Sequence, residues 1–492
     1  MIVLPEILTP FCGVSHHTNK GVFTVPTSSH LSPNQIRDWK PYDLPTDKLT
    51  PLARARQRMQ DTGQWQPWQV VGRRMAIGCV ALEITQRCNL DCTYCYLSES
   101  SEALKDIPLE EVFRRIDMIH AHYGDRTDVQ VTGGDPTLRK RSELVEIIRY
   151  IRSKNMQSSL FTNGIKATRD MLEELCEAGL EDVAFHVDMT QERKGYNSEM
   201  ALNEVRLEYI ERARGLPLSV FFNTTAYKDN FHEIPDLIRF FVKHADVVRL
   251  AAFQVGADVG RGTERERIAV NPTTVQAQIE AGAGTRLEFG ASSAGHSECN
   301  RYAFGLVVND KVFDFFNDPE FVHEMLMQSA HLKFDRRDKR RTIETMAGFL
   351  MKNPRLLAGF TSRIAKTAWQ ARSDLFAARG KVGKLSFHIH NFQDAKALDK
   401  DRCESCSFMV MTPEGPLSMC VHNAKRDDYL LVAAQVKKDE SVVYWNPATG
   451  QFQNHKPEKI EVELTRKNAR GRAKGVVTPG AANEAVELAE EE

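Results

Sequence analysis

Three cysteines in RCNLDCTYCY, Cys88, Cys92 and Cys95, are spaced Cys-x3-Cys-x2-Cys. Thiolate is a soft, charge-donating ligand for iron, so three of them this close suit an iron–sulfur cluster. A four-iron cluster on three thiolates keeps one iron open to another ligand. Zinc is the competing reading, but a closed zinc site wants a fourth ligand nearby, and the nearest histidine, His120, falls in a predicted helix. A second set, Cys403-x2-Cys406-x13-Cys420, lies far downstream, with Cys299 or His422 as candidate fourth ligand. A second iron–sulfur cluster, a zinc site and free thiols all remain open there. Cys12, Cys79 and Cys176 read as ordinary buried or free cysteines.

Other polar residues fall where strands are predicted to end. Gly133-Gly134-Asp135-Pro136 follows one strand; Thr162 and Asn163, His186 and Asp188, and Asn223 and Thr225 close three more. Each suits a ligand contact, and each singly is equally explained as a satisfied strand end.

These residues need a scaffold. β-rich runs occur at 80–85, 128–133, 158–163, 182–189, 218–225 and 246–255. Amphipathic helices are predicted between them, one with Val112, Ile116 and Ile119 at helical spacing and Gly124 past its end. Strands alternating with helices predict an α/β fold, a partial (β/α)6 TIM-like barrel, with chemistry at the carboxyl ends of the strands. Residues 1–76 read as an irregular wrap with one helix, capped by Thr50 with Pro51 in its first turn. Residues 77–256 form the core, 257–400 a mixed helix and strand extension, 401–464 a C-terminal α+β cysteine region, and 465–492 a charged tail expected to be disordered.

At this point the chain resembles the radical S-adenosylmethionine (SAM) superfamily, over about residues 80–256. CxxxCxΦC places its aromatic at Tyr94, and the glycine-rich turn after the second strand is Gly133–Pro136. The resemblance implies a [4Fe–4S] cluster on Cys88, Cys92 and Cys95 whose open iron is chelated by SAM. It also implies cleavage of SAM to a 5′-deoxyadenosyl radical that abstracts hydrogen from an inert carbon. Tyr94, Gly133, Gly134, Asp135, Pro136, Thr162, Asn163, His186, Asp188 and Asn223 are then the candidate SAM contacts. Asp135 stands where the family pattern often has Glu, and His186 near where it often has Ser. The second cysteine set resembles an auxiliary-cluster region, nearer the shorter twitch type than the seven-cysteine SPASM type. AFQVGADVGR (252–261), RIAVN (267–271), the stretch from Cys299 to DFFNDPEFV, and SFHIHNF (386–392) together look like the tetraether-lipid-synthase-like branch, which implies radical C–C coupling of lipid chains. The chain departs from the archaeal members of that branch: with only Cys12 before Cys79, it lacks their N-terminal rubredoxin-like cysteine site. An incomplete six-stranded ring would leave a lateral opening for a large substrate.

Composition limits the partners. Lys and Arg number 65 against 66 Asp and Glu, a net charge of −1 over 492 residues, so no global field attracts nucleic acid. No apolar run is long enough to span a bilayer, and no signal peptide is evident, so a cytoplasmic protein with reduced thiols is expected. Residues 332–372 are locally basic, with aromatics and aliphatics interspersed. That segment reads either as a peripheral membrane contact or as a domain-packing helix pair with a solvated face. His388 and His390 share one face of a predicted strand and read as site-like or as surface. The implied partners are a small-molecule or lipid substrate and an external ferredoxin- or flavodoxin-like electron donor. Rival readings are a peptide-modifying radical SAM enzyme, a non-catalytic Fe–S or SAM-binding sensor, and a zinc-binding interaction module.

Overall fold

The computed structural model describes residues 30–260, 270–332, 334, 339–438 and 441–463. Cys12, the start of RIAVN, part of the basic segment and the expected disordered tail lie outside the described residues.

Two helices precede the sheet, α1 (Pro33–Asp38) and α2 (Pro51–Asp61), and the Thr50 hydroxyl accepts the Ala53 N–H to cap the second. Six strands then alternate with five helices. The strands are β1 (Cys79–Thr85), β2 (Asp128–Gly133), β3 (Gln157–Thr162), β4 (Asp182–His186), β5 (Ser219–Ala226) and β6 (Val248–Val255). The helices are α3 (Leu109–Tyr123), α4 (Arg141–Ser153), α5 (Arg169–Ala178), α6 (Asn203–Ala213) and α7 (Ile234–Lys243). The predicted strands agree with these within a few residues because each is a short β-branched or aromatic run buried on both faces. The helices cover the sheet through one stripe each. α7 buries Ile234, Leu237, Ile238, Phe241 and Val242, at i, i+3, i+4, i+7 and i+8. Each such side chain contributes about 1.5–3 kcal/mol by leaving water.

The remaining elements are α8 (Pro272–Ala283), β7 (Asn300–Val308), β8 (Lys311–Asp314), α9 (Pro319–Gln328), α10 (Lys339–Lys352), α11 (Pro354–Gln370), α12 (Arg372–Ala377) and β9 (Gly383–Asn391). After them come α13 (Lys400–Glu404), β10 (Phe408–Met411), β11 (Pro416–Ser418), α14 (Met419–Ala424), α15 (Asp427–Leu430) and a small sheet of β12 (Ala434–Lys438), β13 (Ser441–Asn446) and β14 (Gln451–Gln453).

The extension does not stand apart from the core. The main sheet has 11 strands in the order β11-β10-β1-β2-β3-β4-β5-β6-β9-β7-β8. β10 runs parallel to β1 and β9 parallel to β6, so both edges of the six-stranded unit carry a parallel strand from the C-terminal half. The sheet curls until its flanks meet through side chains. Asn300, at the start of β7, donates from Nδ2 to Ser407 Oγ at 3.1 Å, and the His390 ring on β9 lies 5.6 Å from the Phe408 ring on β10. The expected lateral opening is therefore filled by β9, β10 and their contacts. The N-terminal wrap braces the same region: Leu31 N donates to Leu398 O, Tyr42 N to Pro416 O, and Lys425 Nζ to Arg37 O.

Candidate functional site

The loop after β1 carries the three thiols and is stitched to the turn after β2. Gly134 N donates to Thr85 O at 2.9 Å and Asp135 N to Arg87 O at 2.8 Å. The glycines permit this approach. A Cβ on Gly133 (φ +132°) would lie 1.9 Å from Thr85 O, and one on Gly134 would lie 2.1 Å from Arg87 O. The space they leave is taken by the backbone at Thr85, the end of β1, and at Arg87 in the loop after it. The Gly133 carbonyl also accepts the Tyr96 hydroxyl at 2.5 Å. Cys88 Sγ accepts Leu90 N–H at 3.5 Å and faces Asn163 Nδ2 at 4.0 Å, while the same Nδ2 donates to Asn89 Oδ1 at 2.6 Å. Asn163 thus ties the cysteine loop to β3.

The three thiols open into a cavity at the carboxyl ends of the parallel strands. Tyr94, Gly133, Gly134, Thr162, Asn163, His186, Asn223 and Thr225 line it with Cys88, Cys92 and Cys95. Three residues expected among them do not. Asp135 and Asp188 are fully buried, and Pro136 is buried in the first turn of a short 3-10 helix. The two aspartates perform one task twice. Asp135 accepts Thr137 N (3.0 Å) and Thr137 Oγ1, then reaches Thr162 Oγ1 and Asn163 N (2.8 Å) after β3. Asp188 accepts Thr190 N (3.0 Å) and Thr190 Oγ1, then reaches Thr225 N on β5 (2.7 Å). Each caps its own turn and fixes the end of the next strand, so the Asp-x-Thr spacing was a capping signal.

Asp188 also holds His186, whose Nε2 lies 2.7 Å from its Oδ2. Burial alone would lower the His186 pKa, but the adjacent Asp188 charge and hydrogen bond outweigh it and raise it. Burial likewise opposes ionisation of Asp188, yet His186, Thr190 and Thr225 hold that carboxyl below the usual range.

The opposite wall is apolar and comes largely from the extension: Phe392, Phe408 and Met419, with Val255, Ala257 and Val259. Among the described residues, no Lys, Arg, Asp or Glu side chain lines the cavity. Phe392, Phe408 and Met419 went unnoticed in sequence because only the closure of the sheet brings them to the thiols.

The second cysteine set also converges. Cys299 before β7, Cys403 and Cys406 around α13, and Cys420 in α14 act on one another electrostatically. Burial first, then neighbouring thiols, pushes Cys403 up to about 12; burial pushes Cys299 up to about 11 despite Arg402. Arg402 Nε donates to Cys299 Sγ at 3.3 Å and Gln393 Nε2 to Cys403 Sγ at 3.5 Å, so nitrogen donors are aimed at sulfur. His422 stacks on Tyr429 at 5.9 Å, with Arg426 and Glu83 as its charged neighbours. His388 and His390 do share a face. Both bond Asn300 Oδ1, at 3.1 and 2.8 Å, and neither lines the cavity.

Both thiol sets fit an iron–sulfur cluster. Their donors are soft, and N–H groups point at sulfur, as charge on a bound cluster requires. Among the described residues no three His, Cys, Asp or Glu side chains are gathered tightly enough to hold a single metal ion, which applies to both thiol sets alike.

Fold and site together define a parallel α/β barrel with a three-thiol loop at the mouth of its cavity. Residues 82–241 match the family model of the Radical SAM superfamily, and this part of the chain is a radical SAM domain. A probable GTP 3′,8-cyclase of Pyrococcus abyssi is 36% identical over 178 residues, 35% of this chain and 56% of the relative. A PqqA peptide cyclase of Bradyrhizobium diazoefficiens is 29% identical over 207 residues, 40% of this chain and 51% of the relative. The chain thus spans about half the length of these curated relatives. The solved structure of native anSMEcpe with bound AdoMet aligns over 57% of this chain and 99% of its own at 14% identity, with a TM-score of 0.33.

Proposed function

We propose that this chain is a radical SAM enzyme acting on an uncharged, apolar carbon segment. The observation that carries the reading is the two-walled cavity: three thiols and polar strand ends on one side, Phe392, Phe408 and Met419 on the other. Cys88, Cys92 and Cys95 would hold a [4Fe–4S] cluster, and Cys299, Cys403, Cys406 and Cys420 a second. When bound, the first cluster and SAM supply a 5′-deoxyadenosyl radical able to take hydrogen from an unactivated carbon. The chain's own residues bind, orient and exclude water. Gly134, Thr162, Asn163, His186 and Asn223 offer hydrogen-bonding partners for an amino acid and a ribose. Asp135, Pro136 and Asp188 serve from behind, by fixing those partners.

The apolar wall of Phe392, Phe408 and Met419 disfavours a phosphate or carboxylate against it, since a buried charge without a partner is costly. This supports a lipid hydrocarbon chain, as the resemblance to the tetraether-lipid-synthase-like branch also does, with bond formation between carbons as the outcome. The names of the PqqA relatives support a second reading, in which the substrate is a peptide presenting an apolar side chain. Either reading requires a low-potential reductant from outside, of ferredoxin or flavodoxin type.

The test is anaerobic reconstitution with iron and sulfide, then dithionite and SAM, with 5′-deoxyadenosine as the readout. A lipid fraction should raise the yield. Normal cluster and SAM uptake without product would leave a binding or sensing role instead.

His186 gives a pH-dependent expectation. A raised pKa keeps it an imidazolium beyond the ordinary 6.5, and the charge is lost as pH rises through the raised value. SAM affinity should therefore weaken toward alkaline pH, and His186→Gln should flatten that profile. Equilibrium binding across pH 6 to 9, roughly bracketing the histidine range, checks this. A wild-type profile as flat as the variant's would refute it.

A further inference from the structure

α9, α10 and α11 build a core of their own beside the barrel, around Phe321, Phe349, Leu350 and Leu356. That core accounts for one face of each helix. The outer faces are apolar as well. On α10, Ile343, Ala347 and Met351 follow one another at i, i+4 and i+8 and are all exposed, Ile343 at 68% and Met351 at 71%. On α11, the face opposite Leu356 and Phe360 presents Ala358, Ala365 and Trp369, and Trp369 is 70% exposed. α12 adds Phe376, exposed at 89%. A globular protein rarely leaves so many large apolar side chains open on adjoining helices unless something covers them.

Charge decides what covers them. Residues 339–381 contain ten Lys or Arg and two acids, Glu344 and Asp374. Both acids are already engaged, Glu344 by Arg340 at 2.8 Å and Asp374 by Lys311 at 2.9 Å. Lys352, Arg355, Lys366, Arg372, Arg379 and Lys381 are all exposed along these helices. The Arg372 guanidinium lies 4.7 Å over the Trp369 ring, a cation–π distance. Exposed cations on the same helices as protruding aromatics match an anionic bilayer interface, where the rings enter the headgroup layer and the cations meet phosphate. No helix among the described residues is long and apolar enough to cross a membrane, so the contact would lie in the interface plane.

We infer that the outer face of α10, α11 and α12 docks on an anionic lipid surface. This goes beyond the proposed chemistry and stands without it, because none of these residues lines the cavity. An acidic soluble protein would satisfy the cations but gives no reason for a phenyl ring as exposed as Phe376.

The test is flotation of the full-length, cluster-loaded protein with vesicles of pure phosphatidylcholine and of phosphatidylcholine carrying one-third phosphatidylglycerol. Binding is expected only to the anionic vesicles and should fall with added salt. The triple variant Lys352→Gln, Lys366→Gln, Arg379→Gln should bind roughly a hundredfold more weakly, at about 1 kcal/mol per cation. Trp369→Ser with Phe376→Ser should also lose binding, with 5′-deoxyadenosine formation from SAM unchanged in detergent. Trp369→Phe should retain binding but lose the quenching of tryptophan emission by brominated lipid. The inference is overturned if the wild type does not float with anionic vesicles or if the variants float equally well. It is also overturned if the serine pair instead abolishes self-association or flavodoxin binding measured without lipid.

Discussion

A chain with Cys88, Cys92 and Cys95 all replaced by alanine should form no 5′-deoxyadenosine and keep about half of the wild-type iron. The loss of product follows from the loop's position, since these are the thiols that open into the cavity beside Gly133, Gly134 and Asn163. The retained iron follows from the separate grouping of Cys299, Cys403, Cys406 and Cys420, with Phe392 packed against the hydrophobic cluster of Cys403 and Cys420 and Phe408 against that of Cys406. The reciprocal variant, Cys403→Ala with Cys406→Ala, should lose the other half and keep SAM cleavage in a dithionite assay. Iron and sulfide analysis beside product quantitation separates the cases. Complete iron loss in the first variant would leave one cluster, and unchanged product would remove the loop from the chemistry. The barrel itself should survive, because the loop thiols are only half-buried and contribute little to the core.

Arg426→Met should destabilise the fold by about 3–5 kcal/mol, because it strands a buried carboxylate. Arg426 Nη1 grips both oxygens of Glu83 on β1, at 2.6 and 2.8 Å, and Nη2 donates to Asn423 Oδ1 at 2.8 Å. Its guanidinium sits 4.6 Å over the Tyr96 ring, one residue from Cys95. Both partners are almost wholly buried. Burial raises the Glu83 pKa, but Arg426 and His422 more than offset it and lower the pKa to about 2. The sign follows. A depressed carboxylate contributes stability in full above its ordinary 4.5, and that contribution fades as pH falls toward 2. Denaturant unfolding from neutral pH downward should therefore show a loss in the wild type that Arg426→Met lacks. The double variant Glu83→Leu, Arg426→Met should recover most of the loss, since an apolar pair leaves no orphan charge. An unchanged midpoint for Arg426→Met would show that the pair carries no load. Cluster retention should fall with the single variant, because Tyr96 loses the group packed over it.

The strands of the core and the thiol loop were legible because both are local. A buried parallel strand is a short apolar run, and a ligand set within eight residues needs no partner from elsewhere. The auxiliary set was legible as a list of cysteines, but its fourth member was not fixed. Only the pairing of β7 with β9 carries Cys299 to α13, and only the fold sets His422 beside Glu83. Asp135 and Asp188 lie behind the cavity for a related reason. A carboxylate after a strand can face a ligand or cap a turn, and the threonine two residues on decides for the cap. β10 and β11 were missed outright. Four and three residues long, they are strands because β1 offers them an edge.

That edge has a temporal side. Residue 79 leaves the ribosome more than three hundred residues before residue 408, a delay of roughly 15–65 s at about 5–20 residues per second. Throughout that interval β1 is an open strand edge, and the cysteine loop beside it has one wall missing. The last third of the chain shuts the vessel. Until then the exposed edge is open to any neighbouring strand that would pair with it, and slow synthesis would lengthen that exposure.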